Sequence, residues 1–198
     1  MYDKSYILQI LQKKRRGFIL STLPVENIQA IFIDRDGTIG GDNTVHYPGE
    51  FDLFPFTKKI IETLKEENIK ILSFTNQPGI SRGEAREEDF IKELKAFGFD
   101  GIYVCPHSHT DGCSCRKPGT GMLLKAADDY NLDLTKCVVI GDRWTDIVAG
   151  SKVKAKTILV QTGAGQEALN EHREKWEDID PSYIAEDLND GINWLLNK

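Results

Sequence analysis

No apolar run in the 198 residues is long enough to span a bilayer, which argues against a membrane-crossing helix. A secretory leader is also missing. The apolar stretch 7–11 is too short for one, and the basic run Lys13-Lys14-Arg15-Arg16 follows it instead of leading it. These absences predict a cytoplasmic protein with no membrane partner. Positive charge is in short supply, with 25 Lys and Arg against 31 Asp and Glu and a net charge of -6. Binding to a phosphate backbone needs a clustered basic face, so a nucleic-acid partner is not expected. There is no internal repeat and no low-complexity linker; the length suits one domain with a small appendage, acting as a monomer or small homo-oligomer. Only four cysteines occur, Cys105, Cys113, Cys115 and Cys137, and three of them fall within 11 residues. In a reducing compartment such a cluster points to a metal rather than to disulfides.

Against these absences stands a regular alternation of patterns. Short β-rich runs at 30–33, 69–74, 101–104, 137–140 and 157–160 each end at a polar or glycine residue. Between them lie helical periodicities. Segment 57–67 lines up Ile60, Ile61 and Leu64; segment 87–97 lines up Phe90, Ile91 and Leu94; segment 121–130 is rich in Ala and Leu behind Thr120 as a candidate N-cap. A last helix at about 186–196 carries Leu188, Ile192 and Leu195. Strand–helix alternation predicts an α/β fold with a parallel sheet, and such sheets bind ligands beyond the carboxyl ends of their strands. Asp34, Thr75, Cys105, Asp142 and Thr162 all fall at such ends. Residues 1–28 read as a helical extension (Tyr6, Ile7, Ile10, Leu11) with a connector near Pro24, preceding a main domain at 29–198.

The first run continues as Ile33-Asp34-Arg35-Asp36-Gly37-Thr38. Residues i and i+2 of an extended strand point the same way, so Asp34 and Asp36 can share one site, and Gly37 lets the chain turn. An ionised aspartate can attack phosphorus, and a second carboxyl can protonate the leaving oxygen and then deprotonate water. On its own, Asp-x-Asp-Gly also fits an acidic turn or a fragment of a calcium loop. A second acidic strand end, Gly141-Asp142-Arg143-Trp144-Thr145-Asp146, strengthens the first reading. Carboxylates facing a phosphate repel it unless a hard cation lies between, and oxygen ligands suit Mg²⁺. Thr75 offers a hydroxyl and Lys117 a positive charge to phosphate oxygens.

Taken in order, Asp34-Arg35-Asp36-Gly37-Thr38, Thr75, Lys117 and Asp142 to Asp146 resemble the haloacid dehalogenase (HAD) superfamily of phosphatases over about residues 28–197. The resemblance implies a Rossmann-like three-layer sandwich. It implies Asp34 as nucleophile, Asp36 as general acid and base, and Thr75 and Lys117 as phosphate binders. It implies Mg²⁺ held by Asp34, the Asp36 carbonyl and Asp142, with Asp146 behind them. The intervals between these motifs leave no room for a large cap domain.

Segment 105–115 has the spacing C-x-H-x5-C-x-C. Cys105, His107, Cys113 and Cys115 would fill the four positions of a tetrahedral Zn²⁺, leaving none for water, so the metal would be structural; His109 is an alternative to His107. Cys137 opens an apolar strand and reads as core. The loop leads straight into Arg116-Lys117-Pro118. With Thr75-Asn76-Gln77-Pro78-Gly79-Ile80-Ser81-Arg82-Gly83 and Thr162-Gly163, it is similar to one HAD branch, the D-glycero-D-manno-heptose 1,7-bisphosphate and histidinol-phosphate phosphatases. That likeness implies a small sugar or polyol phosphate as substrate, with Asn76, Arg82, Arg116 and Arg143 around it. The loop from His107 to Cys113 is shorter than in typical members, segment 51–57 lacks their glycine after proline, and the N-terminal residues are extra.

Overall fold

The computed structural model describes residues 28–197; the expected N-terminal extension lies outside the described residues. Six strands form one sheet: β1 Ala30–Ile33, β2 Lys70–Asn76, β3 Gly101–Cys105, β4 Cys137–Gly141, β5 Lys156–Val160 and β6 Tyr183–Ala185. Their spatial order is β3-β2-β1-β4-β5-β6, and every pairing is parallel. The helices are α1 Thr57–Glu66, α2 Glu87–Phe97, α3 Gly121–Tyr130, α4 Trp144–Lys152, α5 Gly165–Asn170 and α6 Leu188–Leu196.

Both faces of the sheet are covered, which is why its central strands are apolar without alternation. Alternate residues feed two cores. Ile31 and Ile33 of β1, with Ile71, Val138, Ile140, Ile158 and Val160, meet Ile60, Ile61 and Leu64 of α1, Leu94 of α2, and Leu188, Ile192 and Leu195 of α6. Ala30 and Phe32, with Leu72, Phe74, Cys137 and Val139, meet Met122, Leu123 and Ala126 of α3 and Ala149 of α4. Helix–sheet–helix layering follows, as the Rossmann-like expectation required. Each buried Ile or Leu contributes about 1.5–3 kcal/mol relative to exposure, so the three anchors of α1 fix it more firmly than its intrinsic propensity could.

The expected helices recur almost to the residue, with three differences. Thr120 occupies the N-cap position of α3, but its hydroxyl makes no capping bond. The last helix starts two residues later than expected because the Asp187 side chain accepts from the Asp190 amide and closes its first turn. Sequence periodicity gave no sign of α4, α5 or β6. Helix α4 buries Asp146, Ile147, Val148, Ala149 and Gly150 in succession, so it has no apolar stripe to read.

The interval from β1 to β2 holds a loop, two isolated bridges (Asp36 to Gly40, Gly40 to Leu53) and α1. Among the described residues no cap domain is inserted there or after β2. No helix of the described residues is long and apolar enough to cross a membrane.

Candidate active site and metal centres

Strand β1 lies at the centre of the sheet, and its register with β4 sets Ile33 beside Ile140. The chain therefore delivers Asp34 and Asp142 side by side, each just past the core. Asp34, Asp142 and Asp146 are all buried, and each offers an oxygen within 4.8 Å of the others. Lys117 enters from the loop after β3. Its buried Nζ lies 2.8 Å from Asp34 Oδ2 and 2.6 Å from Asp146 Oδ1, and stands 4.4 Å from the centre of the Phe74 ring.

Local chemistry orients each group. The Arg35 amide donates to Asp34 Oδ1 at 2.8 Å. The Ala164 amide donates to Asp142 Oδ2 at 2.7 Å, and the Arg143 amide to Asp146 Oδ2 at 2.9 Å. Gly37 and Gly163 make the close approach possible. Both have positive φ, +74° and +54°, and a Cβ on either would lie 2.3 Å from Asp142 Oδ2. Thr162 Oγ1 donates to the Gly37 carbonyl at 2.6 Å, closing the ring of loops.

The electrostatics of this cluster point to a cation. With all three carboxyls ionised, three carboxylates against one ammonium would leave two negative charges in a buried space. Uncompensated buried charge is costly. Burial, then Asp34 and Asp146, pushes the Asp142 carboxyl well above the usual range. Burial pushes Asp146 up to about 6 despite the neighbouring Lys117. Burial disfavours the Lys117 ammonium, but Asp146 and Asp34 outweigh it and hold its pKa above the ordinary lysine value. Asp142 Oδ1 is buried with no hydrogen-bond partner among the described residues. An all-oxygen donor set with one free oxygen and two excess charges fits a divalent hard cation.

Asp36 faces the same end of the sheet and is partly open. Its Oδ1 accepts from Arg35 NH1 at 2.5 Å, and its Oδ2 from Gln77 Nε2 at 2.6 Å. Burial raises its pKa; the Arg35 charge opposes that shift. Gln77 Nε2 also donates to Thr75 Oγ1 at 2.9 Å. The Thr75 hydroxyl thus accepts from the amide and keeps its own proton for another acceptor. Thr75 lies within β2 rather than beyond it.

The remaining expected residues divide by place. Asn76 turns its amide to the chain. Its Oδ1 accepts from the Lys117 amide at 3.0 Å and its Nδ2 donates to the Lys117 carbonyl at 3.3 Å, so it grips the lysine's backbone. Arg82 forks onto Glu84, at 2.7 and 2.6 Å, and Glu84 also accepts from the Tyr47 hydroxyl. Arg116 donates to the His107 carbonyl at 3.0 Å and meets the His109 ring at 2.9 Å. Arg143 is exposed and donates to the Asn43 carbonyl at 3.2 Å. Sequence reasoning gave no role to Arg35, Gln77 or Glu93. Arg35 and Gln77 both fall inside the motifs that carry the family likeness, Gln77 two positions after Thr75, whereas Glu93 left no signal.

A second cluster joins the last residue of β3 to the loop that follows it. Cys105 Sγ is 3.7 Å from Cys113 Sγ and 3.3 Å from Cys115 Sγ, and His107 Nδ1 is 3.6 and 3.2 Å from Cys105 and Cys115. A disulfide requires about 2.05 Å, so these are free thiols. Zn–S bonds of about 2.3 Å in a tetrahedron put sulfurs about 3.8 Å apart. The four donors therefore already stand near the corners of such a tetrahedron. His107 is the imidazole in the cluster; His109 is turned to Arg116 instead. Cys137 is buried in the core, as its strand position implied.

The fold and the paired acidic strand ends define a phosphatase of the HAD type, and the chain belongs to the HAD superfamily. The family described as HAD-hydrolase-like matches residues 114–191. The chain is 36% identical over 172 residues to a D-glycero-beta-D-manno-heptose-1,7-bisphosphate 7-phosphatase of Yersinia pestis, covering 76% of this chain and 90% of that protein. It is 39% identical over 144 residues to the corresponding alpha-heptose 7-phosphatase of Campylobacter jejuni, covering 67% and 81%. Among solved structures, the D,D-heptose 1,7-bisphosphate phosphatase of B. bronchiseptica, complexed with magnesium and phosphate, superposes with a TM-score of 0.75 at 29% identity. It covers 85% of this chain and 98% of that one.

Proposed function

We propose that this phosphatase removes the 7-phosphate of a D-glycero-D-manno-heptose 1,7-bisphosphate, through an aspartyl-phosphate on Asp34. The observation that carries the reading is the buried set of Asp34, Asp142 and Asp146 closed by Lys117. The substrate follows from the relatives, which are named for this activity.

In the first half-reaction an Asp34 carboxylate oxygen attacks phosphorus and the ester P–O bond breaks. The departing alkoxide takes the proton carried by Asp36. In the second, Asp36 removes a proton from water, whose oxygen attacks the same phosphorus. The bond to Asp34 breaks, freeing inorganic phosphate and the carboxylate. Thr75 donates its free hydroxyl proton, and Lys117 its charge, to the equatorial oxygens. Asp146 holds Lys117 from behind, and Asn76 fixes its backbone. Asp34, the Asp36 carbonyl and Asp142 would hold Mg²⁺, which when bound neutralises phosphate charge as a Lewis acid.

Arg116, Arg143 and Arg82 would offer positive charge to the far phosphate of the substrate. Cys105, His107, Cys113 and Cys115 would hold Zn²⁺, stiffening the loop that delivers Arg116 and Lys117. The test is a phosphate-ester panel with Mg²⁺: both anomers of heptose 1,7-bisphosphate, histidinol phosphate and a 3′-phosphorylated oligonucleotide. We expect the highest kcat/KM for one heptose anomer; a higher value for either of the other esters would displace the assignment.

A further inference from the structure

Arg35 is the largest fully buried side chain described, in a position flanked by the two reactive carboxylates. A guanidinium cannot be neutralised by losing its proton, so full burial demands partners. Its Nε and NH2 both donate to Glu93 Oε2, at 3.0 and 2.7 Å, from a helix 58 residues away. Its NH1 donates to Asp36 Oδ1 and, at 2.8 Å, to the His46 carbonyl. The plane rests on the Phe51 ring, 3.7 Å from its centre. Glu93 in turn spends Oε1 on the Gly49 amide at 3.1 Å.

The consequence for Asp36 is geometric. Oδ1 is clamped by a group that cannot move, because Glu93 and Phe51 fix it on the far side. Oδ2 accepts from Gln77, which also donates to Thr75, the residue given the phosphate above. Oδ1 faces a permanently charged guanidinium and Oδ2 a neutral amide, so Oδ2 is the oxygen better suited to carry a transferable proton, on the Thr75 side of the carboxyl.

We propose that Arg35 and Glu93 are a positioning pair that fixes the Asp36 carboxyl so that Oδ2 delivers the proton to the leaving oxygen, with Glu93 acting wholly through Arg35. This rests on the acid–base role given to Asp36 above. Neither residue touches the substrate; both set the aim of the one that does.

The test uses the full-length protein with Mg²⁺ and two esters. Heptose 1,7-bisphosphate releases a poor alkoxide leaving group that needs a proton. p-Nitrophenyl phosphate releases a phenolate that leaves without one. General acid catalysis contributes about 10²–10⁴-fold, and misaiming the acid should forfeit part of it. In Glu93→Gln, which keeps shape and loses charge, we expect kcat/KM to fall about tenfold for the heptose ester and less than about threefold for the aryl ester. Arg35→Lys should show the same split more strongly. Because Asp36 also serves the second half-reaction, both variants should show a pre-steady-state burst of nitrophenolate. Equal losses on both esters without a burst would mean a structural role only, and no loss on either would equally overturn the proposal. Asp36→Asn, run alongside, separates the two layers. If it lacks the leaving-group split, the acid–base reading fails and takes this inference with it. If it shows the split and Glu93→Gln does not, only the positioning pair fails.

Discussion

The two donor clusters of this chain are built on opposite plans. The oxygen cluster is assembled from the ends of neighbouring parallel strands and the first turn of α4 and is buried, with Asp142 Oδ1 left over. The sulfur cluster gathers Cys105, at the end of β3, with three donors from a single loop, and its four donors leave no position spare. Hard oxygen donors with an open position suit a cation that exchanges and meets substrate, whereas a closed thiolate–imidazole set suits one that stays. The difference teaches where rigidity comes from. At the sheet the backbone ladder supplies it, and the ion is free to serve chemistry. In the loop there is no ladder, and the ion itself would be the scaffold.

The sharpest way to break the comparison is to remove one carboxylate. Asp34→Asn should lower kcat with the heptose ester by at least about a thousandfold, the scale of losing a nucleophile. Its thermal midpoint should change little; steady-state turnover near that of the unaltered protein would sink the oxygen cluster as the reaction centre. The opposite pattern is expected at the sulfur cluster. Cys113→Ser should lower the midpoint by more than about 5 °C and release metal measured by elemental analysis, with the activity per folded molecule reduced less than in Asp34→Asn. A variant as stable as the parent would show that the loop needs no ion. The smallest effect tests the join between the clusters. Asn76→Ala deletes both bonds to the Lys117 backbone and should cost about 1–2 kcal/mol of stability with a roughly tenfold fall in kcat. An activity unchanged within twofold would mean that Pro118 and the loop hold Lys117 unaided.

How much of this was visible in the sequence depended on range. Asp34, Asp36, Asp142 and the C-x-H-x5-C-x-C cluster were legible because strand alternation and chelate spacing are local properties. So were α1 to α3, whose apolar stripes repeat within one helix. Helix α4 was not, because it is buried on several sides and contains Gly150 and Ser151, weak helix formers. Strand β6 has three residues, too few for any periodicity. The real partners of Arg35 and Asn76 were invisible for another reason. Arg35 meets Glu93 across 58 positions and Asn76 meets Lys117 across 41, and nothing in either neighbourhood encodes the other. A motif supplies the residue and leaves its orientation to tertiary structure. Asn76 shows this most plainly: the likeness to relatives implied substrate contact, and the fold spends both ends of its amide on the chain.

The strand order carries one more consequence. After β1 the chain winds outward through β2 to β3, then crosses back to place β4 on the other flank of β1. Loops leaving β1 and β4 consequently head for opposite flanks of the sheet at the point where such sheets hold a ligand in a cleft, and they stay joined there by the Arg143 bond to the Asn43 carbonyl. Insertions or deletions in the bordering loops can reshape what enters this cleft without shifting the atoms at its floor. The architecture thus separates the evolution of selectivity from the preservation of reactivity.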